Sequence, residues 1–203
     1  MGTLPATERG RLTRQRIVAA AAEVVAENGA LGASLDEVGA RAPASRSQLY
    51  HYFSDKAGLL RAVAEATNDA VLGAQQDLFA SLGTWKGLVG WADALVALHQ
   101  ERGGRGGCPI ANLLGQLGER DDDIRAVLAS GFDRWESCIR AGLAAMADSG
   151  ELRPGTDVAW LAASTLASLQ GGLVLSQARR DPQALRRALD GALALIASYR
   201  TTS

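Results

Sequence analysis

The chain has 203 residues, 47% of them hydrophobic, which suits one large domain or a small one joined to a medium one, with apolar mass enough for a core. Proline is scarce, alanine and leucine abound, and no run of β-branched or aromatic residues alternates as a strand would, so the chain reads as all-α with about nine helices. A net charge of -1 argues neither for nor against nucleic acid, and the two cysteines, Cys108 and Cys138, are far apart and match no metal-ligand spacing, so neither metal nor cofactor is expected.

The first residues hold no apolar stretch of the kind a signal peptide needs, so a cytoplasmic protein with reduced thiols is expected. Arg9, Arg11, Arg14 and Arg16 then crowd together against Glu8. A basic arm entering a helix can find phosphates, and it is equally consistent with a solvated tail.

A first helix is predicted from near Thr13, because Ile17, Ala20, Ala21, Val24 and Val25 recur on one face, and Asn28-Gly29 should stop it. Two short helices follow. Ser34-Leu35-Asp36-Glu37 and Ser45-Arg46-Ser47-Gln48 both have the capping-box pattern, in which the serine accepts from the third residue's N–H and that residue's side chain reaches back. Pro43 between them ends the first near Ala42.

Ser54-Asp55 can cap a fourth helix whose pattern runs to about Leu82, a rod of roughly 36–40 Å at ~1.5 Å per residue. Thr84 opens the next, carrying Trp85, Leu88, Trp91 and His99. Arg102–Gly107 is a glycine-rich break, Cys108-Pro109 starts a short helix, and Asp121-Asp122-Asp123 starts one reaching Ser149. Thr156 or Asp157 caps a stretch from Val158 to Ala178 that has no charge and is long enough to span a bilayer. Its Ser164, Thr165, Ser168, Gln170, Ser176 and Gln177 favour a buried central helix instead. Asp181-Pro182 caps the last helix, with Leu185, Leu189, Ala192, Leu193 and Ile196 on one face.

Three short helices with tight turns make a helix-turn-helix, whose second helix lies in the major groove while the first crosses the backbone. In Ser45–Phe53, Leu49 and Phe53 should face inward onto Val38. The opposite face then presents Arg46, Ser47, Tyr50 and His51, with Gln48 at its margin. Arginine can bond bidentately to guanine and glutamine to adenine. Lys56, at the start of the next helix, can meet a phosphate. The candidate DNA-contacting set is Arg14, Ser34, Ser45, Arg46, Ser47, Gln48, Tyr50, His51 and Lys56.

Residues Leu12 to about Val63 resemble the DNA-binding domain of TetR-type (tetracycline-repressor-like) regulators. The resemblance lies in Ile17–Ala21, Asn28-Gly29, Ser34–Val38 and, above all, Ala44–Leu60 with its Leu-Tyr-x-x-Phe-x-x-Lys spacing. The segment Gly107–Leu113 is similar to one branch of these regulators. One position departs: Pro43 stands where the turn usually has glycine.

The resemblance implies a DNA-binding domain over 1–55 and a helical ligand-binding and dimerisation domain over 56–203. It implies a homodimer joined through the last two long helices, reading a near-palindromic operator, most simply as a repressor. It further implies a small-molecule effector, for which Trp85, Trp91, His99, Cys108, Asn112, Trp135, Cys138, Gln170, Met146 and Trp160 are candidate liners, each also able to be ordinary core.

Three other classes compete. Two histidines and two isolated cysteines form no triad, metal site or phosphate loop, which disfavours an enzyme. Cys108 near Arg102 and Arg105 at a helix start could have a lowered pKa and act as a redox sensor, against the commoner case of a buried, inert cysteine. A helical interaction module with no DNA role would bind DNA without sequence preference.

Overall fold

A computed structural model describes residues 7–201. Residues 1–6, on which the signal-peptide expectation partly rests, lie outside the described range.

Among the described residues the fold is all-helical, with ten helices. They are α1 (Glu8–Gly32), α2 (Leu35–Arg41), α3 (Arg46–Tyr52), α4 (Lys56–Gly73), α5 (Gln76–Phe79), α6 (Trp85–Glu101), α7 (Pro109–Leu117), α8 (Asp122–Asp148), α9 (Val158–Arg179) and α10 (Gln183–Ala197). They form two compact units, Met1–Ala70 with Asn112–Ser130, and Val71–Ala111 with Gly131–Ser203.

Local signals account for most helix ends. Ser34 and Ser45 both close the capping boxes expected of them. Thr84 accepts from the Gly87 N–H and Asp157 from the Trp160 N–H. Asp55 accepts from the Gly58 N–H at 2.7 Å and Asp121 from the Ile124 N–H at 3.0 Å, which places a carboxylate at each N-terminus as the helix dipole favours. Glycines at positive φ, Gly103, Gly104, Gly106 and Gly107, carry the break after α6.

Two boundaries differ from expectation. α1 begins at Glu8 rather than near Thr13, because the Thr7 hydroxyl caps it by accepting from Gly10. α4 stops at Gly73 instead of continuing to Leu82. Gln75 is buried there, its Nε2 donating to the Val71 carbonyl and its Oε1 accepting from the Trp91 indole at 3.0 Å. The Gln75 side chain takes the Val71 carbonyl that its own N–H would take in a continuing helix, that N–H bonds the Leu72 carbonyl instead, and α5 starts after it.

In the first unit Ile17, Val24, Val38, Leu49, Phe53, Leu59 and Val63 are buried together with Leu117, Ile124 and Leu128 from the later segment. Asn68 of α4 donates to the Val127 carbonyl of α8 at 2.7 Å. In the second unit Trp91, Ile139, Leu143, Met146, Leu161, Leu185 and Ile196 are inaccessible. α9 and α10 lie side by side, and a Cβ on Gly172 would sit 2.9 Å from the Ala188 Cβ, so this glycine permits their close approach. Leu152 and Arg200 form an isolated antiparallel bridge that ties the end of the chain to the turn after α8.

α9 is not the buried central helix that its composition suggests. Only 33% of its apolar window is buried within the chain, and Trp160, Val174 and Leu175 are exposed. Charge-free composition marks a helix that avoids water without saying what covers it.

Candidate nucleic-acid interface

The interface is built on α2 and α3. Leu49 and Phe53 are 3% and 4% exposed, as the inward face requires. Gly39 of α2 admits α3 closely, since a Cβ there would lie 3.3 Å from the Leu49 side chain. Arg41 holds α2 to α1 through a bidentate pair with Glu27, at 2.8 and 2.7 Å, with Glu23 nearby. That bond holds the Glu27 carboxyl below the usual carboxylate range.

The turn is a helix C-terminal motif of known geometry. The Ala44 N–H reaches the Gly39 carbonyl at 2.9 Å, the long bond of a Schellman motif, which places Pro43 at the position that needs a left-handed residue. Pro43 indeed has φ 25, a value that the proline ring resists and glycine adopts freely.

With α3 so anchored, Arg46, Ser47, Gln48, Tyr50 and His51 are all exposed on one short helix. They differ in what they have left to offer. Gln48 already accepts from the Ser45 N–H through Oε1 at 2.9 Å, which turns its amide toward its own cap and leaves Nε2 and one lone pair of Oε1 for a base. Both groups of the amide are needed to read adenine bidentately. Ser34 and Ser45 are likewise engaged in their caps. Arg14 lies over the Phe53 ring at 5.3 Å, and Lys56 donates to the Leu31 carbonyl at 3.0 Å, closing the end of α1. His51 packs edge-on against Tyr52, 5.0 Å between ring centres.

The residues named as effector liners divide. Trp91 is spoken for by Gln75, and Trp85 lies under the Arg200 guanidinium at 4.7 Å. Asn112 is exposed and belongs to the first unit. Trp160 is exposed against Tyr199, Cys138 is half-buried, and Met146 is inaccessible. Among the named liners, His99 Nε2, Trp135 Nε1 and the Gln170 amide, which lies beside the Cys108 thiol, are buried polar groups without a hydrogen-bond partner, as are Asn68 Oδ1, Arg186 Nε and Arg200 Nε elsewhere. Burial, then Arg102, pushes the His99 pKa down.

Cys108 is buried, the inert alternative of the two open for it from the sequence. Burial pushes the thiol up, and the nearby N–H groups of Ala111 and Ile110 and the Gln170 amide offset this only in part. A buried, protonated thiol is a poor nucleophile, so the redox-sensor reading falls.

The fold and these two helices have close parallels. Residues 17–63 match the model of the bacterial regulatory proteins of the tetR family, and residues 84–192 match that of the tetracyclin repressor-like C-terminal domain. The chain belongs to the TetR family. An uncharacterised HTH-type transcriptional regulator of Mycobacterium tuberculosis is 29% identical over 177 residues, covering 83% of this chain and 86% of that one. The transcriptional regulator AcuR of Cereibacter sphaeroides is 28% identical over 179 residues, covering 86% and 80%. Among solved structures, a TetR-family regulator from Cytophaga hutchinsonii superposes with a TM-score of 0.82 at 20% identity, covering 98% and 100% of the two chains. The regulatory protein TetR from Rhodobacter sphaeroides gives 0.75 at 23% identity, over 90% and 98%. As a TetR-family member the protein is a DNA-binding transcriptional regulator, with α2 and α3 as its helix-turn-helix.

Proposed function

We propose that the protein is a cytoplasmic, effector-released repressor that reads a near-palindromic operator as a homodimer and catalyses no reaction. The observation that carries the DNA side is the outer face of α3, where Arg46, Ser47, Tyr50 and His51 stand exposed on a helix fixed at both ends. Arg46 is the residue suited to guanine; Ser47, Tyr50 and His51 suit base edges or phosphate. Gln48, its amide held toward the Ser45 N–H, keeps Nε2 and one lone pair of Oε1 for a base. Arg14, Ser34, Ser45 and Lys56 belong to the backbone-facing set, positioned by the bonds described above.

Dimerisation is supported by α9. Trp160, Ala163, Ala167, Gly171, Val174 and Ala178 are exposed at helical spacing, and nothing lies within 4 Å of where a Gly171 Cβ would be. An apolar stripe with small residues at its middle suits a second copy of the same helix. Two reading helices would then address half-sites one helical turn apart, about 34–36 Å.

The effector side is supported by the unpartnered polar groups of His99, Trp135 and Gln170. Buried polar groups are nearly always paired, and an exception marks a place where a ligand group or a water can complete the set. A ligand that prefers the non-binding arrangement lowers operator affinity by that preference.

Selection of bound sequences from random double-stranded DNA tests the reading. A near-palindrome with half-sites one turn apart is expected, with affinity falling steeply as salt rises. Arg46→Ala and Tyr50→Ala should each weaken binding to the selected sequence about 10- to 100-fold while leaving the oligomer intact. Normal binding by both variants, or selection of no common sequence, refutes it.

A further inference from the structure

α1 is broken near its end. Gly29 has φ 74 and ψ 160, a conformation open essentially to glycine alone, and one further turn follows, closed by the Ala33 N–H on the Gly29 carbonyl at 3.0 Å. The break removes the helical partner of the Ala30 N–H. Ala30 is completely buried, so water cannot replace that partner. The acceptor comes from 86 positions away: Gln116 Oε1, on α7, at 2.7 Å. The other half of the amide, Nε2, donates to the Asn112 carbonyl at 3.2 Å, which fixes which end of the amide faces Ala30. A Cβ on Gly29 would lie 3.0 Å from the same Oε1, so the glycine both makes the break and leaves room for the bond.

The turn held in this way is the joint from which the reading head hangs. Ala33 and Ser34 alone connect it to α2, and Ser34 is the α2 cap. Lys56 donates to Leu31 within the turn, and Asn28, just before it, donates to Glu37 of α2 at 3.4 Å, so with Gln116 three side-chain bonds hold the joint. Asn28–Glu37 and Lys56–Leu31 join parts of the helix-turn-helix to themselves. Gln116 alone of the three comes from the 112–130 segment.

We propose that Gln116 is a positioning residue for operator recognition: its bond to Ala30 holds the joint between α1 and α2 in the arrangement that presents α3 to the groove. This rests on the DNA-binding reading above. When the bond is lost, the joint samples other entry angles into α2, and the apparent affinity falls in proportion to the fraction still competent. A free amide N–H with no water and no acceptor is costly enough to shift that fraction about tenfold.

The test uses the full chain and the operator found by selection. Gln116→Met keeps length and shape but removes the acceptor; Gln116→Glu keeps an acceptor for Ala30 and loses the donor to Asn112. Affinities for the operator and for unrelated DNA are measured at a temperature where circular dichroism shows each variant folded. Operator affinity should fall about tenfold in Gln116→Met and by less in Gln116→Glu, with affinity for unrelated DNA unchanged, because phosphate contacts do not need the correct entry angle. In the unaltered protein the Ala30 amide should be among the slowly exchanging hydrogens. A folded Gln116→Met with full operator affinity overturns the proposal, as does an equal loss in both variants or rapid exchange at Ala30. Failure of the unaltered protein to prefer its operator would instead overturn the DNA-binding reading, and this proposal with it.

Discussion

Pro43→Gly should stabilise the protein. Pro43 sits at φ 25, whereas the ring prefers about −65°, and the residues around it leave no alternative. On one side the Ala42 N–H is held by the Val38 carbonyl at 2.8 Å; on the other the Ala44 N–H is held by the Gly39 carbonyl at 2.9 Å. Ala42 is fully buried, so the turn cannot unwind without exposing it. A residue held in so sparsely populated a region costs about 1–3 kcal/mol. Glycine would relieve that strain and add a backbone N–H at the position where a Schellman motif makes its second bond, to the Ala40 carbonyl, worth about 0.5–1.5 kcal/mol. Against this, glycine gives the unfolded chain more freedom, at about 0.4–1 kcal/mol. Pro43 is exposed, so little packing is lost. The net gain is about 0.5–4 kcal/mol, which for a chain of this length raises Tm by about 2–4 °C per kcal/mol. Thermal melts and urea titrations of the two proteins would measure it, with an increased midpoint and an unchanged m-value expected. A Tm that stays the same or falls refutes the strain argument.

Gly29→Ala should act in the opposite direction, destabilising by about 1–3 kcal/mol through its φ of 74, as a lower urea midpoint would report. Val174→Glu places a charge on the exposed stripe of α9 proposed as the pairing face, and sedimentation should show a dimer for the unaltered chain and a monomer for the variant at the same concentration. His99 has a pKa lowered by burial, so the unfolded state takes up its proton first as pH falls. Its contribution to stability is therefore full above the unfolded value of about 6.5 and is lost as pH drops through the lowered native value. Urea midpoints measured across that window should decline less steeply in His99→Gln than in the unaltered protein.

What the sequence by itself determined are the features whose physics closes within one helical turn. Both capping boxes and the end of α2 before Pro43 depend on residues two to four positions apart, and the structure has them where the sequence places them; of Thr156 and Asp157, both open as caps of α9, it uses Asp157. The inward position of Leu49 and the outward, exposed face of α3 follow from the same short spacing.

The tertiary structure decided whatever depends on partners far along the chain. α4 carries apolar periodicity past Gly73, yet it ends there, with Gln75 bonded to Trp91, 16 positions on. Cys108 has cationic neighbours in sequence, but burial governs its thiol, and burial is a property of the packed unit. The apolar run of α9 fixes its avoidance of water, while the share of it that the chain itself covers emerges only on folding. The bond from Gln116 to Ala30 leaves no trace in local pattern, since a glutamine on a helix ordinarily points to solvent. It exists because a broken helix leaves one buried N–H without a partner, and only the fold brings an acceptor from 86 residues away to meet it.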